Sequence, residues 1–285
     1  MIEIRACEGF DELEACVRLQ IEIWGYDKSD VIPRKTFLLA QKIGGQVIGA
    51  FDEDRDRKNG DQGLVIREQG KTAAELVGFA MSLPGIKPSQ NGPQPYLHSH
   101  MLAVKPSHRR RGIGAQLKWE QRHEALARGI RHMEWTFDPL EIANAFLNIH
   151  RLGATARTYL VNFYGVSSSR LQGGLPTDRL LAEWELGSPR VNAAWEGRPA
   201  AVHRIEERIT VPFPAGDWKA SEASRHRAAA VQLEMRQKFQ AAFSRGLTVH
   251  GFSRDGEGNG VFELGQFAQS ESCLGSEISK ENKTL

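Results

Sequence analysis

Apolar and polar residues alternate over Ile2–Ala6, and a period of two predicts a strand. From residue 11 to 24 the spacing becomes helical, with Leu13, Val17, Ile21 and Trp24 on one stripe. Pro33 suits the first turn of a second helix. Gly44 and Gly45 then turn the chain into a strand over 46–51. Residues 52–71 are dominated by charge and glycine and predict an exposed loop or hairpin excursion. A strand resumes over 75–83. Residues 84–95 hold four prolines and two glycines, which predicts a loop. A strand over 96–104 leads to a helix over 112–128, with Gly129 as its stop. Next come a strand over 130–137 and a helix opened by Asp138 and Pro139, running through Arg151 and closed by Gly153. Strands over 155–163 and 179–186 follow.

The order β-α-α-β-β-β-α-β-α-β-β predicts an α/β fold whose mixed sheet carries helices on both faces. That pattern fills a domain over 1–187. Residues 188–268 read differently: a strand over 205–211, a loop over 212–219, a helix over 221–245 and a hairpin of 248–252 with 261–264. They form a C-terminal extension, either a small α+β subdomain or a continuation of the main sheet. Residues 269–285 are polar, mixed in charge and poor in aromatics, which predicts a disordered tail.

Composition narrows the classes. With 40% hydrophobic and 25% charged residues among 285, the chain is ordinarily globular. Its formal net charge is only +2, and its basic residues concentrate at 105–111. That suits one small polyanion better than a nucleic acid. No apolar run reaches the ~18 residues of a membrane span, and MIEIRACEGF does not read as a signal peptide. Cys7, Cys16 and Cys273 form no metal-ligand spacing. They fit a reducing cytoplasm, with Cys7 and Cys16 as small core residues.

The chemistry concentrates in YLHSHMLAVKPSHRRRGIGAQL, residues 96–117. An apolar strand, a basic turn, Gly112 and Gly114, then a helix: this order can hold a pyrophosphate. Glycine lets the backbone approach closely, and the amides and dipole of the new helix face the anion. Arg109, Arg110 and Arg111 add positive charge. Ile113 and Leu117 line the helix, and Ala115 allows tight packing. Position 117 is not the third glycine of a dinucleotide-binding loop, and no Gly-Lys-Ser/Thr ends the turn as in a P-loop. On the preceding strand, His98 and His100 lie one alternation apart, so period two puts them on one face with Leu102 and Val104. Histidine titrates near neutral pH, and two adjacent imidazoles disfavour double protonation, keeping one as a base. The alternatives are structural histidines or zinc. For zinc, His108, His123, His132 and His150 supply further ligands by count only.

The Arg-x-x-Gly-x-Gly turn after a strand resembles motif A of the GCN5-related N-acetyltransferase (GNAT) superfamily. The resemblance covers roughly residues 2–186 in element order and is most specific over 97–117. It implies the GNAT fold, a mixed, mostly antiparallel sheet with helices on both faces. It also implies that Arg109, Arg110, Arg111, Gly112, Ile113, Gly114 and Ala115 hold the pyrophosphate of coenzyme A, while backbone groups of Leu102, Ala103 and Val104 meet its pantetheine arm. The stretch from His98 to Val104 is similar to the His-x-His-x-Leu-Ala-Val strand of the serotonin N-acetyltransferase group of that family. There two histidines help deprotonate the substrate ammonium, which makes His98 and His100 candidate catalytic bases.

Residues 142–153 resemble motif B, the helix under coenzyme A. Asn144 and Asn148, at i and i+4, share a face there and are candidate coenzyme contacts. Ile149 stands where many members carry a tyrosine that protonates the leaving thiolate. Tyr164, with Tyr159 as the other choice, is the candidate acid. Trp24, Trp135 and Glu141 are candidate acceptor contacts. Tyr26 accompanies Trp24, and Asp138 is either a helix cap or a second anchor for an ammonium. The implied activity is acyl transfer from acetyl-CoA or another acyl-CoA, such as succinyl-CoA, to a primary amine or amino acid, with no metal. A carboxylated donor or acceptor would need a cation, for which Arg157 is the candidate. The expected partner is a small molecule rather than a nucleic acid or membrane, and the protein a monomer or homodimer. The alternative is a catalytically silent coenzyme A-binding module.

Overall fold

The computed structural model describes residues 1–53, 74–89, 92–198 and 204–266. The chain begins with β1 (Ile2–Ala6), α1 (Gly9–Trp24), α2 (Arg34–Lys42), β2 (Gln46–Asp52), β3 (Glu75–Lys87) and β4 (Gln94–Val104). It continues with α3 (Ile113–Ala127), β5 (His132–Phe137), α4 (Ile142–Ala145, running on as a π-helical turn Phe146–Arg151), β6 (Thr155–Leu160) and β7 (Arg179–Glu185). The last part holds α5 (Pro189–Trp195), β8 (Glu207–Val211), α6 (Ala215–Trp218), α7 (Glu222–Ser244), β9 (Thr248–Arg254) and β10 (Gly260–Gly265). The strands form one ten-stranded sheet in the order β1-β2-β3-β4-β5-β7-β6-β9-β10-β8. Among the described residues, β4 and β5 are parallel and the other neighbouring pairs are antiparallel. The mixed sheet with helices on both faces is what the element order implied, and its mostly antiparallel pairing is what the family resemblance implied.

Burial follows the layers. β2 is buried almost throughout because both of its faces are covered. On one face Leu13, Cys16, Leu19 and Phe37 of α1 and α2 pack on Phe79, Met81, Met101 and Ala103. On the other, Ile113 and Leu117 of α3 pack on Ile48, Ala50, Val77 and Ala80, with Leu102 and Val104 at the margin. A third cluster joins β5, β6 and β7 to β8, β9 and β10 through Trp184, Phe239, Phe252 and Phe262. The C-terminal strands continue the sheet, with β9 meeting β6 at Ala156↔Val249.

Several expectations need correction. Residues 84–95 are not a loop throughout: β3 runs to Lys87 and β4 starts at Gln94, with Pro84 opposite Leu97 and Ile86 opposite Pro95. Pairing with β2 ends at Ser82 and pairing with β5 covers only Leu97 and His98. Both prolines therefore sit on edge segments, where a missing N–H is tolerated. Asp138 and Pro139 do not open the helix. They form a turn in which the Leu140 N–H donates to Asp138 Oδ1 (2.9 Å), and the helix begins at Ile142. Residues 212–219 include the short helix α6 rather than loop alone. Helix α5 was not anticipated, although Ser188 caps it (Val191 N–H to Oγ, 3.3 Å) and Pro189 opens it. Most of the charged 52–71 stretch, and the tail expected over 269–285, lie outside the described residues. No helix among the described residues is long and apolar enough to cross a membrane.

Candidate active site

The site begins where β4 ends. The Lys105 N–H donates to Val77 O (2.8 Å), and a single 3-10 turn, Pro106–His108, follows. His108 is buried with Nε2 3.1 Å from Asp52 Oδ2, and Ser107 Oγ lies 2.9 Å from its Nδ1. This clamp fixes the entry of the glycine turn. The Arg109 N–H still reaches Pro106 O (3.3 Å), and the Gln116 N–H reaches Gly112 O (3.1 Å). Between them, the six amides from Arg110 to Ala115 donate to no protein acceptor among the described residues. Arg110 has φ +64° and Gly112 φ +79°. Left-handed residues in such a turn curl successive N–H groups into an anion-binding concavity. A side chain at Gly112 would meet open space, so its conformation and not crowding calls for glycine. Arg109, Arg110 and Arg111 are exposed, and Arg109 Nε donates to Val104 O (3.2 Å). A Cβ at Gly114 would lie 3.7 Å from Leu147 and 3.8 Å from Leu102. The start of α3 thus abuts β4 and α4.

The second half is the seam between β4 and β5. Their registered pairing consists of Leu97↔Met133 and His98↔Glu134 and then stops. Such a break in a sheet is where ligands of α/β folds commonly sit. On its other edge β4 carries a bulge, since the register with β3 passes from Met81↔Met101 to Ser82↔Ser99 and leaves His100 unmatched. The bulge corrects the expected facing. Ser99 Oγ donates to Gln121 Oε1 of α3 (2.9 Å), and Leu102 and Val104 also pack on the α3 face. Residues three apart share that face because the extra residue shifts the alternation. His98 therefore projects from the opposite face, toward α1 and α2, and not with Leu102 and Val104. The imidazoles of His98 and His100 do come together, with centroids 6.1 Å apart. Burial, and then the proximity of His98, hold the His100 pKa below the usual histidine value.

Glu134 is a buried site residue that sequence reasoning missed. Its Oε1 lies 3.7 Å from His98 Nδ1, its Oε2 3.8 Å from His132 Nε2, and Lys87 Nζ forms an ion pair with it. Burial alone would raise this carboxyl, but the proximity of His132, His98 and Lys87 outweighs it and holds the pKa well below the usual range. The strand period could have found it, since Glu134 interrupts the apolar run of β5 at a buried position.

Across the seam, Trp24 and Tyr26 stack at 5.6 Å. The segment 161–178 is tied to them: the Arg170 N–H donates to Trp24 O (3.0 Å), and Ser168 N–H and Oγ both donate to Asp30 Oδ2 (2.8 and 2.7 Å). Tyr164 in that segment is exposed, with its hydroxyl 2.8 Å from Thr136 Oγ1 of β5. Tyr159 is instead buried and donates to Asp178 Oδ2 (2.8 Å). Burial, then the Asp178 charge, push its pKa far up, so it is no proton donor to a cleft.

Other candidates fall elsewhere. Trp135 is a core residue on the α3 side, edge-on to Trp184 at 5.6 Å and covered by Lys118 Nζ at 3.5 Å from its centroid. Glu141 does not await an ammonium from outside, because Lys219 Nζ already lies 2.5 Å from Glu141 Oε1 and 2.7 Å from Asp138 Oδ2. Arg157 is committed to Glu183 through two bonds of 2.8 and 3.0 Å. Asn144 and Asn148 do not share a face as expected: Asn144 is exposed and Asn148 buried. The wider π-helical turn that starts between them, at Phe146, removes the i, i+4 alignment. Ile149 is wholly buried in the core. His150 is exposed and stacks on Phe146 at 4.5 Å. Among the described residues no cluster of three or more His, Cys, Asp or Glu could hold a metal ion.

A helix N-terminus with free amides beside a parted parallel seam, in a mostly antiparallel sheet covered on both faces, suits a diphosphate joined to an extended arm. Residues 24–153 match the family model described as the Acetyltransferase (GNAT) family. NAA60 from Arabidopsis thaliana in complex with acetyl-CoA is similar in fold, with a TM-score of 0.51 and 17% identity over 66% of this chain and 100% of that one. An N-acetyltransferase from Staphylococcus aureus Mu50 has 17% identity and a TM-score of 0.46, covering 65% of this chain and 99% of that one. The ribosomal-protein-S18-alanine N-acetyltransferase from Escherichia coli has 17% identity and a TM-score of 0.43, covering 66% and 96%. The comparison with curated proteins gives no match.

Proposed function

We propose that the protein transfers an acyl group, acetyl first among the donors, from acyl-coenzyme A to the nitrogen of a small primary amine or amino acid by direct attack. The observation that carries this reading is the run of six amides from Arg110 to Ala115 without protein acceptors. Those amides and the exposed Arg109–Arg111 side chains suit a diphosphate, and the edge of β4 beyond His98 suits an extended pantetheine amide chain. Bound coenzyme supplies a thioester, hence an activated acyl carbon and a thiolate leaving group.

The residues then divide the work. His98 and His100 take the proton of the acceptor ammonium, since only the free amine can attack. The lowered His100 pKa favours the neutral, proton-accepting imidazole. Backbone N–H groups near the β4 bulge polarise the acyl carbonyl. Tyr164 returns a proton to the thiolate as the C–S bond breaks and the C–N bond forms. Trp24 and Tyr26 flank the acceptor. The balance is one amide, one thiol and one proton released to solvent. Cys7 and Cys16, buried as free thiols with their Sγ atoms 3.9 Å apart, fit a cytoplasmic setting.

Mass spectrometry of an amine and amino-acid library incubated with acetyl- and succinyl-coenzyme A tests this reading. It predicts a product heavier by one acyl group, lost in His98→Ala/His100→Ala. A second reading, a coenzyme-binding module without turnover, draws on the buried Ile149 at the position of the family tyrosine. It predicts coenzyme binding with no mass shift in any acceptor.

A further inference from the structure

We infer that Glu134 is a positioning residue for His98, orienting the imidazole so that Nδ1 carries the proton and Nε2 is left to accept one from the acceptor. The assignment of a role to Nε2 rests on the acyl-transfer reading above; the orientation of the ring does not.

Three observations carry it. Glu134 stands directly opposite His98 in the last registered pair before β4 and β5 part, so the backbone of both strands fixes the two side chains relative to each other. Its Oε1 lies 3.7 Å from His98 Nδ1, a separation that a small ring rotation or one bridging water closes. Its Oε2 faces Lys87 Nζ and His132 Nε2, and the carboxylate is only 9% exposed. A carboxylate held this way cannot turn away from His98 without losing its cation. His132 is in turn anchored by Glu185, whose Oε1 lies 2.6 Å from its Nδ1. Carboxylate on Nδ1 and reactive proton on Nε2 is the division of labour by which an acid orients a histidine base. The titratable and charged groups facing this pair are Lys87 of β3, Tyr96 and His100 of β4, His132 of β5 and, through His132, Glu185 of β7.

The test uses the full chain labelled with 15N-histidine. Long-range 1H–15N spectra of neutral His98 should show the Nδ1–H tautomer in the wild type and a shift toward Nε2–H in Glu134→Gln. Glu134→Asp should restore part of the Nδ1–H population. In acetyl-transfer assays Glu134→Gln should lower kcat about 10²-fold with the acetyl-CoA KM within about twofold. It should also move the acid limb of the kcat/KM profile, and have no added effect in a His98→Ala background. A predominantly Nε2–H tautomer in the wild type, or an unchanged tautomer in Glu134→Gln, overturns the inference. So does a normal rate per folded molecule in Glu134→Gln. Absence of turnover in a wild type that shows the expected tautomer would sink the acyl-transfer reading and leave the positioning of His98 standing.

Discussion

Lys219→Met is the substitution whose cost the structure fixes most closely. Lys219 Nζ sits 2.7 Å from Asp138 Oδ2 and 2.5 Å from Glu141 Oε1, with its side chain 2% exposed. Asp138 is 8% exposed, and its next cation among the described residues, Arg179 Nη1, is 4.0 Å away. Methionine fills a similar volume, so packing changes little and the loss is electrostatic. Removing one partner from a buried pair strands the other and costs about 3–5 kcal/mol. Glu141 is 36% exposed, so water screens its share and Asp138 carries most of the penalty. Urea unfolding should show a midpoint lower by ~1–2 M. The pH dependence follows from the sign. Burial alone would lower the Lys219 amine, but Asp138 and then Glu141 outweigh it and raise its pKa above the usual lysine value. The stabilisation is therefore complete below the unfolded lysine pKa and is lost only as the pH rises through the raised value. The gap between wild type and variant should stay level from neutral pH to about pH 10. Asp138→Asn should recover part of the loss in the Lys219→Met background. A variant within about 0.5 kcal/mol of wild type at pH 7 would refute the reasoning.

Gly112→Ala forces a side chain to φ +79°. Left-handed strain of ~1–2 kcal/mol should weaken coenzyme A binding roughly tenfold in calorimetry while the folded chain persists. His100 has a lowered pKa from burial and His98, so its contribution to folding is present above the unfolded histidine value and is lost as the pH falls from there through the lower folded value. His100→Asn should remove that acid sensitivity from the stability–pH curve. Lys118 is wholly buried, donates to Met133 Sδ at 3.7 Å as its one hydrogen bond among the described residues, lies over the Trp135 ring, and has its pKa pushed well down by burial. Lys118→Met should gain ~1–4 kcal/mol in urea unfolding at neutral pH, and more as the pH falls. Tyr164→Phe should lower kcat at least ~10-fold without changing the acetyl-CoA KM, if its hydroxyl supplies the thiolate proton.

Much of the fold was legible because most elements state their own period. β1 and α1 follow directly from apolar spacing, and β2, α3 and α7 lie close to where the sequence placed them. What failed depended on neighbours. The proline-rich strand ends of β3 and β4 read as loop because their edge position is a property of the sheet. The bulge at His100 leaves no mark in the alternation, yet it takes His98 off the face of Leu102 and Val104. The glycine turn was legible because close backbone approach has few substitutes. Charged residues were the hardest to place. Glu141 and Arg157 looked available in the sequence, and distant residues, Lys219 and Glu183, already hold them. Glu134 gave the opposite error: its partners Lys87 and His98 come from strands brought beside it only by folding.

The most direct test of the account is a backbone amide NMR titration of the 15N-labelled protein with coenzyme A, set beside one with pantetheine, which lacks the diphosphate. The amides of residues 110–115 should move strongly with coenzyme A and hardly at all with pantetheine, in step with the heat measured calorimetrically. Coenzyme A binding that leaves those six resonances unmoved would contradict the account at its base.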